Sequence, residues 1–405
     1  MCIRDRPRRS GLRALRTGGR PVKGLRWTTA GESHGKGLVG VLEGVPAGLE
    51  LDLGRVDAEL ARRQRGYGRG GRMKIETDRI ELISGTRGGR TLGSPIAFTV
   101  VNRDHTIERL PVPSNPRPGH ADLAGCQKLA ARDPRAVLER ASARETAARV
   151  ALGGIARQVI EAFGVEVFAH LVELGGVAVR ADAFEAAGQA RHELRERSEF
   201  LGLDPGQEAA LRARVDRARE ERDSLGGIFE VRATGLPPGL GGYSSGPERL
   251  TGRLGGALLS IPAMKGVEFG LGFESARLPG SAVHDPITPL PPGRQGPWGR
   301  FARQTNRAGG LEGGMTTGEP IVVRVAMKPI PTLRRGIPTV DFETGEAVRA
   351  TYQRSDVTSV PAASVVGEAV VALELASAFL EKFAGDSMEQ VGDSLEAWRR
   401  RVLEL

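Results

Sequence analysis

The sequence predicts an α+β protein in which helices and strands alternate irregularly. Three observations carry that reading. Short strand-like runs cluster in the first hundred residues and recur after residue 226, long helical patterns fall near 142–163 and 365–383, and no short-period unit repeats along the chain. A doubly wound sheet would instead show regular strand–helix units.

In chain order, residues 25–29 and 38–42 read as strands around the loop Ala30-Gly-Glu-Ser-His-Gly-Lys-Gly37, and 56–65 reads as a helix ending in a basic cluster. Residues 80–84 and 96–101 are again strand-like, joined through the glycine-rich turn TRGGRTLGSP. From Asp122 the composition turns alanine-rich and helical. Ser142-Ala-Arg-Glu145 has capping-box spacing, Val150, Ile155, Val159 and Phe163 recur near every fourth residue, and Gly164 stands where a helix would stop. Residues 186–224 are charged and helical, which predicts an exposed excursion between strands. Residues 227–241, 265–273 and 321–327 carry the later strands, and 365–383 predicts a long amphipathic helix.

The net charge is +9 and the isoelectric point about 10.1, values that ordinarily suggest a polyanion partner. The excess is local, however. The first 25 residues carry seven arginines and Lys23 against Asp5, a net of +7, which leaves +2 for positions 26–405. Residues 1–24 read as a disordered Arg-rich extension, and 25–405 as one folded domain. No apolar run has the length of a membrane span. The two cysteines, Cys2 and Cys126, build neither a disulfide framework nor a four-ligand zinc site, and a reducing, cytoplasmic setting is expected. No metal-ligand spacing occurs among the six histidines.

The stretch Arg62 to Lys74, RRQRGYGRGGRMK, holds six basic side chains and four glycines. Arg-Gly segments bind single-stranded nucleic acid, but arginine equally captures carboxylate or phosphate in a folded pocket. Aromatics make up 4% of the chain, too few to pave a base-stacking surface. A pocket for a small anionic ligand is therefore favoured, with no nucleic-acid and no membrane partner.

Two histidines, His34 and His120, sit in glycine-flanked loops and are suited to proton transfer near neutral pH. His105, His170, His192 and His284 lie in ordinary contexts. Ser142 is a plausible N-cap, and a helix start flanked by Arg140 and Arg144 also attracts anions. The run Asn306 to Gly318 could let backbone approach a ligand closely, although turn-forming glycines explain it equally well. Neither a dinucleotide fingerprint nor a phosphate-binding P-loop is present.

Taken in order, GESHG, RRQRGYGRGGR, RPGHAD, RASARET, SIPAMKGVEFG, TNRAGGLEGGMTTGEP, MKPIPTL and RSDVTSVPAASVVGEA resemble the chorismate synthase family from about residue 25 to the C-terminus. The resemblance implies a β-α-β sandwich with helices between two antiparallel sheets, assembled as a homotetramer. It implies loss of phosphate and a ring proton from 5-enolpyruvylshikimate 3-phosphate to give chorismate, with reduced FMN required and NADPH the reductant in members that reduce their own flavin. Carried over by motif, His34 would protonate the departing phosphate with Ser33 beside it. His120 would serve the reduced flavin, and Asp356 with Ser142 would help accept the ring proton. Arg63, Arg69, Arg72, Arg117 and Arg144 would contact substrate. FMN contacts would be Arg140, Ala141, Ser142, Gly256, Ala257, Gly313, Lys328, Pro329, Ile330, Pro331, Thr332 and Arg354. Ala141 and Gly256 depart from residues common in the family, where Ser and Gln are frequent.

Overall fold

The computed structural model describes residues 24–70, 77–351 and 356–405. Gly24 apart, the Arg-rich segment 1–24 lies outside the described residues, as do Arg72 and Arg354.

Nine strands form two antiparallel sheets. The first contains β1 (Arg26–Ala30), β2 (Gly37–Glu43), β3 (Glu81–Ser84) and β4 (Ile96–Val101), ordered β1-β2-β4-β3. The second contains β5 (Glu166–Leu174), β6 (Val177–Ala178), β7 (Gly227–Thr234), β8 (Met264–Phe269) and β9 (Ile321–Met327), ordered β8-β9-β7-β5-β6. Burial alternates strictly along β2 and β9, as one-sided sheets demand.

Among the described residues are eight helices of seven residues or more. The first is α1 (Leu53–Gln64), followed by α2 (Asp122–Leu129), α3 (Thr146–Glu161), α4 (Arg191–Arg197), α5 (Glu208–Glu220), α6 (Leu250–Leu259), α7 (Val360–Lys382) and α8 (Met388–Leu403). α3 packs on β1 and β2, α7 packs on β5 and β7, and α1, α3 and α7 pack on one another, filling the space between the sheets. The order of layers is thus sheet, helices, sheet, which is the predicted sandwich.

The helix expected at 365–383 is α7, and it is not amphipathic as expected. Twenty of the 23 residues of α7 are buried, because its neighbours cover every face. Its length and hydropathy would suit a membrane span, but 94% of its most apolar window is buried inside the protein, so it is the core helix. Close packing there needs small residues. A Cβ on Gly153 would fall 2.5 Å from Cβ of Ala369 on α7, and one on Gly367 would fall 2.3 Å from the Phe229 ring.

Residues 183–220 form the helical excursion between β5 and β7, but it is not wholly exposed. Arg195 of α4 is buried and donates to Glu368 Oε2 at 2.9 Å. Glu368 also accepts from Arg62 at 2.9 Å, from Ala169 N at 2.9 Å and from Arg157. One buried carboxylate therefore ties α1, α3, α4, α7 and β5 together. Ser142 is the expected N-cap and accepts from Arg144 N at 3.3 Å, although the turn it opens, Ala143–Glu145, is 3-10 before α3 begins. Gly164 lies at φ +81°, the left-handed conformation that ends the helix.

Candidate active site

The C-terminal end of α1 and the N-terminal ends of α3 and α7 converge on one side of the helical layer, where they meet the loops after β1, before α2 and after β9. A cleft of two lobes opens there. One lobe, about 630 Å³, is lined by Ser33, His34, Asp104, residues 110–115, Arg135 and Glu139. The other, about 460 Å³, is lined by Arg63, Arg69, Ala141, Arg144, Lys328, residues 330–332, Asp356 and Ser359. Arg117, His120 and Ser142 line both, so the lobes adjoin. Each volume is in the range that holds a small ligand.

The basic cluster divides its labour. Arg62 turns into the core toward Glu368, and Arg65 pairs with the half-exposed Glu196. Arg63 and Arg69 turn into the cleft. Arg63 is 4% exposed, and its Nε and Nη2 donate to Thr146 Oγ1 at 3.1 Å and Ala143 O at 2.8 Å. Its Nη1 is buried without a hydrogen-bond partner among the described residues and lies 3.6 Å from Asp78. Burial lowers this guanidinium to about 10, against the opposing pull of Asp78. Arg63 also lines the second lobe, and a buried donor short of a hydrogen bond has capacity for a ligand oxygen. Arg69 lies 2.9 Å from both Ser359 Oγ and Asp356 Oδ2, and its burial likewise lowers it, opposed by Asp356.

Arg144 is held behind this surface. Its Nη1 lies 2.6 Å from each oxygen of the buried Asp78, and its Nε donates to Asn102 Oδ1 at 2.9 Å. Asn102 in turn donates to the carbonyls of Glu32, Ser33 and Gly35, which pins the loop bearing Ser33 and His34. Burial, and then Lys265, lowers the Lys328 ammonium, whose Nζ donates to Gly119 O at 2.8 Å.

Each histidine is anchored through Nδ1. Glu139 Oε2 lies 2.9 Å from His34 Nδ1 and accepts from His34 N at 3.0 Å. Asp122 Oδ1 lies 2.5 Å from His120 Nδ1, and Arg117 Nη2 lies 3.0 Å from the same nitrogen. Burial alone would raise Asp122, but hydrogen bonds from His120 and Arg117 hold it well below the usual carboxylate range. Ser142 Oγ donates to Ser33 Oγ at 3.2 Å, joining two loops named separately in the sequence.

Not every motif residue converges. Arg140 is exposed and holds Thr29 O and Gly31 O at 2.8 and 3.0 Å. Gly256 and Ala257 lie on α6 outside the lining of either lobe, and Pro329 sits between lining residues without being one. Gly313 lines a separate cavity of about 740 Å³ beside Trp298. The Asn306 to Gly318 run is stapled to itself: Asn306 bonds Pro320 O and Gly310 N, and Gly309, Gly310, Gly313 and Gly314 all take positive φ. Those glycines serve turns. Reading by motif had missed Glu139, Asp104, Asp78, Asn102 and Arg135. A single acid or amide in such contexts carries no local signal, and only Asp122 stood inside a quoted motif.

A sandwich of this kind, with two anchored histidines and several arginines along one cleft, is the setting of an enzyme that acts on a small molecule. The profile of the chorismate synthase family matches residues 25–380. Chorismate synthase from Syntrophotalea carbinolica is 51% identical over 391 residues, covering 93% of this chain and 98% of that protein. The enzyme from Rubrobacter xylanophilus is 52% identical over 388 residues, covering 93% and 97%. A crystal structure of chorismate synthase superposes with a TM-score of 0.76 at 41% identity, covering 95% of this chain and all of that one. The chain belongs to the chorismate synthase family.

Proposed function

We propose that the protein converts 5-enolpyruvylshikimate 3-phosphate to chorismate and phosphate, the last step of the shikimate pathway, with reduced FMN as cofactor and NADPH a candidate reductant. The observation that carries the site assignment is the pair of adjoining lobes: His34 lines one, Arg63, Arg69 and Asp356 line the other, and His120 lines both. In the reaction the C–O bond to phosphate breaks, a ring C–H bond breaks in a 1,4 relation to it, and a new ring double bond forms.

The substrate brings a phosphate and two carboxylates. Arg63, Arg69, Arg117 and Lys328 neutralise them in a desolvated space, where each contact gains strength. Arg144 acts through Asp78, keeping that carboxylate from competing with the ligand for Arg63. His34 protonates the departing phosphate, and the Ser33–Ser142 pair extends the proton path beside it. His120, between Asp122 and Arg117, supports negative charge on the reduced cofactor. Asp356, gripped by Arg69 and Ser359, accepts the proton lost from the ring. Residues that fit the cofactor are those that line the second lobe: Ala141, Ser142, Lys328, Ile330, Pro331 and Thr332. Bound there, reduced flavin would supply the transient electron density that a 1,4-elimination from an unactivated C–H bond calls for. Closing these walls around both molecules excludes water and oxygen.

A cytoplasmic homotetramer without a nucleic-acid partner completes this reading. Supporting it, Arg62 and Arg63 of the basic stretch are buried in ion pairs rather than displayed.

The test is anaerobic phosphate release from the substrate with FMN reduced by dithionite, repeated with FMN and NADPH alone. Equal yields of chorismate and phosphate are expected with dithionite, and activity in both arms identifies a self-reducing enzyme. No product in either arm, from folded protein with FMN bound, overturns the reading.

A further inference from the structure

Glu139 has no role in the chemistry above, yet it is 2% exposed and lies against the cleft. A fully buried carboxylate is costly unless its oxygens are engaged, and those of Glu139 are. Oε2 takes both the backbone N–H and Nδ1 of His34, at 3.0 and 2.9 Å, and Oε1 takes Arg135 Nη1 at 2.9 Å. Ser33 N donates to the Glu139 carbonyl at 3.1 Å, so the residue grips the catalytic loop by side chain and main chain together.

The consequence for His34 is chemical. A carboxylate at Nδ1 requires the proton there, since both atoms would otherwise be acceptors. The proton that comes and goes must then sit on Nε2, which lies on the cavity side, 4.0 Å from Asp104 Oδ2. Burial pushes the Glu139 carboxyl up, but hydrogen bonds from His34 and then Arg135 outweigh this and hold it below its ordinary value, so it keeps its charge near neutrality. The charged groups facing the imidazole are Glu139 on one side and Asp104 on the other, with Arg135 behind Glu139. Arg117 and His120 stand across the same cavity.

We propose that Glu139 is the positioning residue of His34: it fixes the Nδ1–H form, aims Nε2 at the leaving phosphate and stabilises the imidazolium that donates the proton. Arg135 tempers that field. This rests on the activity proposed above, and it predicts opposite shifts for two substitutions. Removing the carboxylate in Glu139→Gln destabilises the imidazolium, so the acid form is lost at lower pH. Removing the cation in Arg135→Met leaves Glu139 uncompensated, so the acid form persists to higher pH.

The experiment combines two readouts on the full chain. First, exchange of the His34 C2 hydrogen, followed by mass spectrometry across pH, reports imidazole protonation without turnover. Its midpoint is expected to fall in Glu139→Gln and rise in Arg135→Met, with the His120 midpoint unchanged in Glu139→Gln. Second, in the dithionite assay the basic limb of the kcat profile is expected to move in the same two directions. At pH 8, kcat for Glu139→Gln should fall about tenfold while KM stays within about twofold, on the usual scale of acid–base assistance. Unmoved exchange midpoints and pH limbs in both variants overturn the assignment. If the unaltered chain makes no chorismate, the proposed activity fails instead, and the exchange midpoints still decide the role of Glu139. Should Glu139→Gln not fold, Arg135→Met alone carries the test, with a fall or no shift in its midpoint counting against Glu139.

Discussion

Arg69 Nη1 lies 2.9 Å from Asp356 Oδ2, joining the glycine-rich basic stretch near the start of the chain to the motif that precedes the last core helix. The pair is largely buried, with side chains 10% and 18% exposed, so each partner neutralises a charge that the site would otherwise reject. Breaking one member leaves the other uncompensated, at a cost of about 3 kcal/mol. Asp356→Asn should therefore lower the unfolding midpoint of the apoprotein in denaturant titration and also slow turnover. Addition of substrate should restore more of the stability in this variant than in the unaltered chain, because an anionic ligand gives Arg69 a new partner. Equal ligand stabilisation in both proteins would argue against Arg69 facing the ligand.

Arg63 makes a different prediction, because its buried Nη1, although 3.6 Å from Asp78, has no hydrogen-bond partner among the described residues. A hydrogen bond from a charged group contributes about 1.5–3 kcal/mol, or roughly 10- to 150-fold in binding. Arg63→Met should raise the substrate Kd by that factor when measured by calorimetry with oxidised FMN present. A Kd unchanged within twofold would remove Arg63 from the ligand contacts.

His34→Ala and His120→Ala should each slow chorismate formation at least tenfold, the usual scale of lost proton-transfer assistance. Both side chains are partly exposed at the cleft, so the folded state should survive truncation and the far-ultraviolet circular dichroism should not change. Rates like those of the unaltered chain in both variants would sink the proton-transfer roles.

Glu368 links stability to pH. Burial opposes its ionisation, but Arg62, Arg195 and Arg157 around it outweigh that cost and lower its carboxyl to about 2. Glu59 nearby, raised chiefly by burial and then by Glu368, moves the other way. A carboxylate with a depressed folded-state pKa contributes stability that is fully present above its unfolded value, 4.5, and is lost as pH falls toward 2. The unfolding free energy should thus decline between those values, and Glu368→Gln should flatten that decline while destabilising the protein at pH 7. An unaltered acid slope in Glu368→Gln would show that the carboxylate is not the group responsible.

Much of the strand and helix pattern was legible because burial on one face imposes a two- or four-residue period. β4 and β9 fall at the expected bounds, and Gly164 ends its helix as its permissive backbone suggests. The long helix α7 differs from the amphipathic expectation because period reports a wet face only when one exists; wrapped by α1, α3, α6, β5 and β7, it has almost none. Among site residues, His34 and His120 stood out through their glycine-flanked loops and chemical type. Glu139, Asp78 and Asn102 did not, since a lone acid or amide gains meaning only from what it faces.

The sequence by itself determined most of the elements, the ordered family motifs and which histidines and arginines were candidates for the site, because these depend on residue type and short-range spacing. Tertiary structure alone decided which arginine serves which purpose. Arg62 and Arg63 are adjacent in the chain, yet one closes a core network with Glu368 and the other lines the second lobe of the cleft. Neighbouring side chains at the end of a helix leave it about 100° apart, so only the packing of α1 against α3 and α7 could assign one to the core and the other to the cleft.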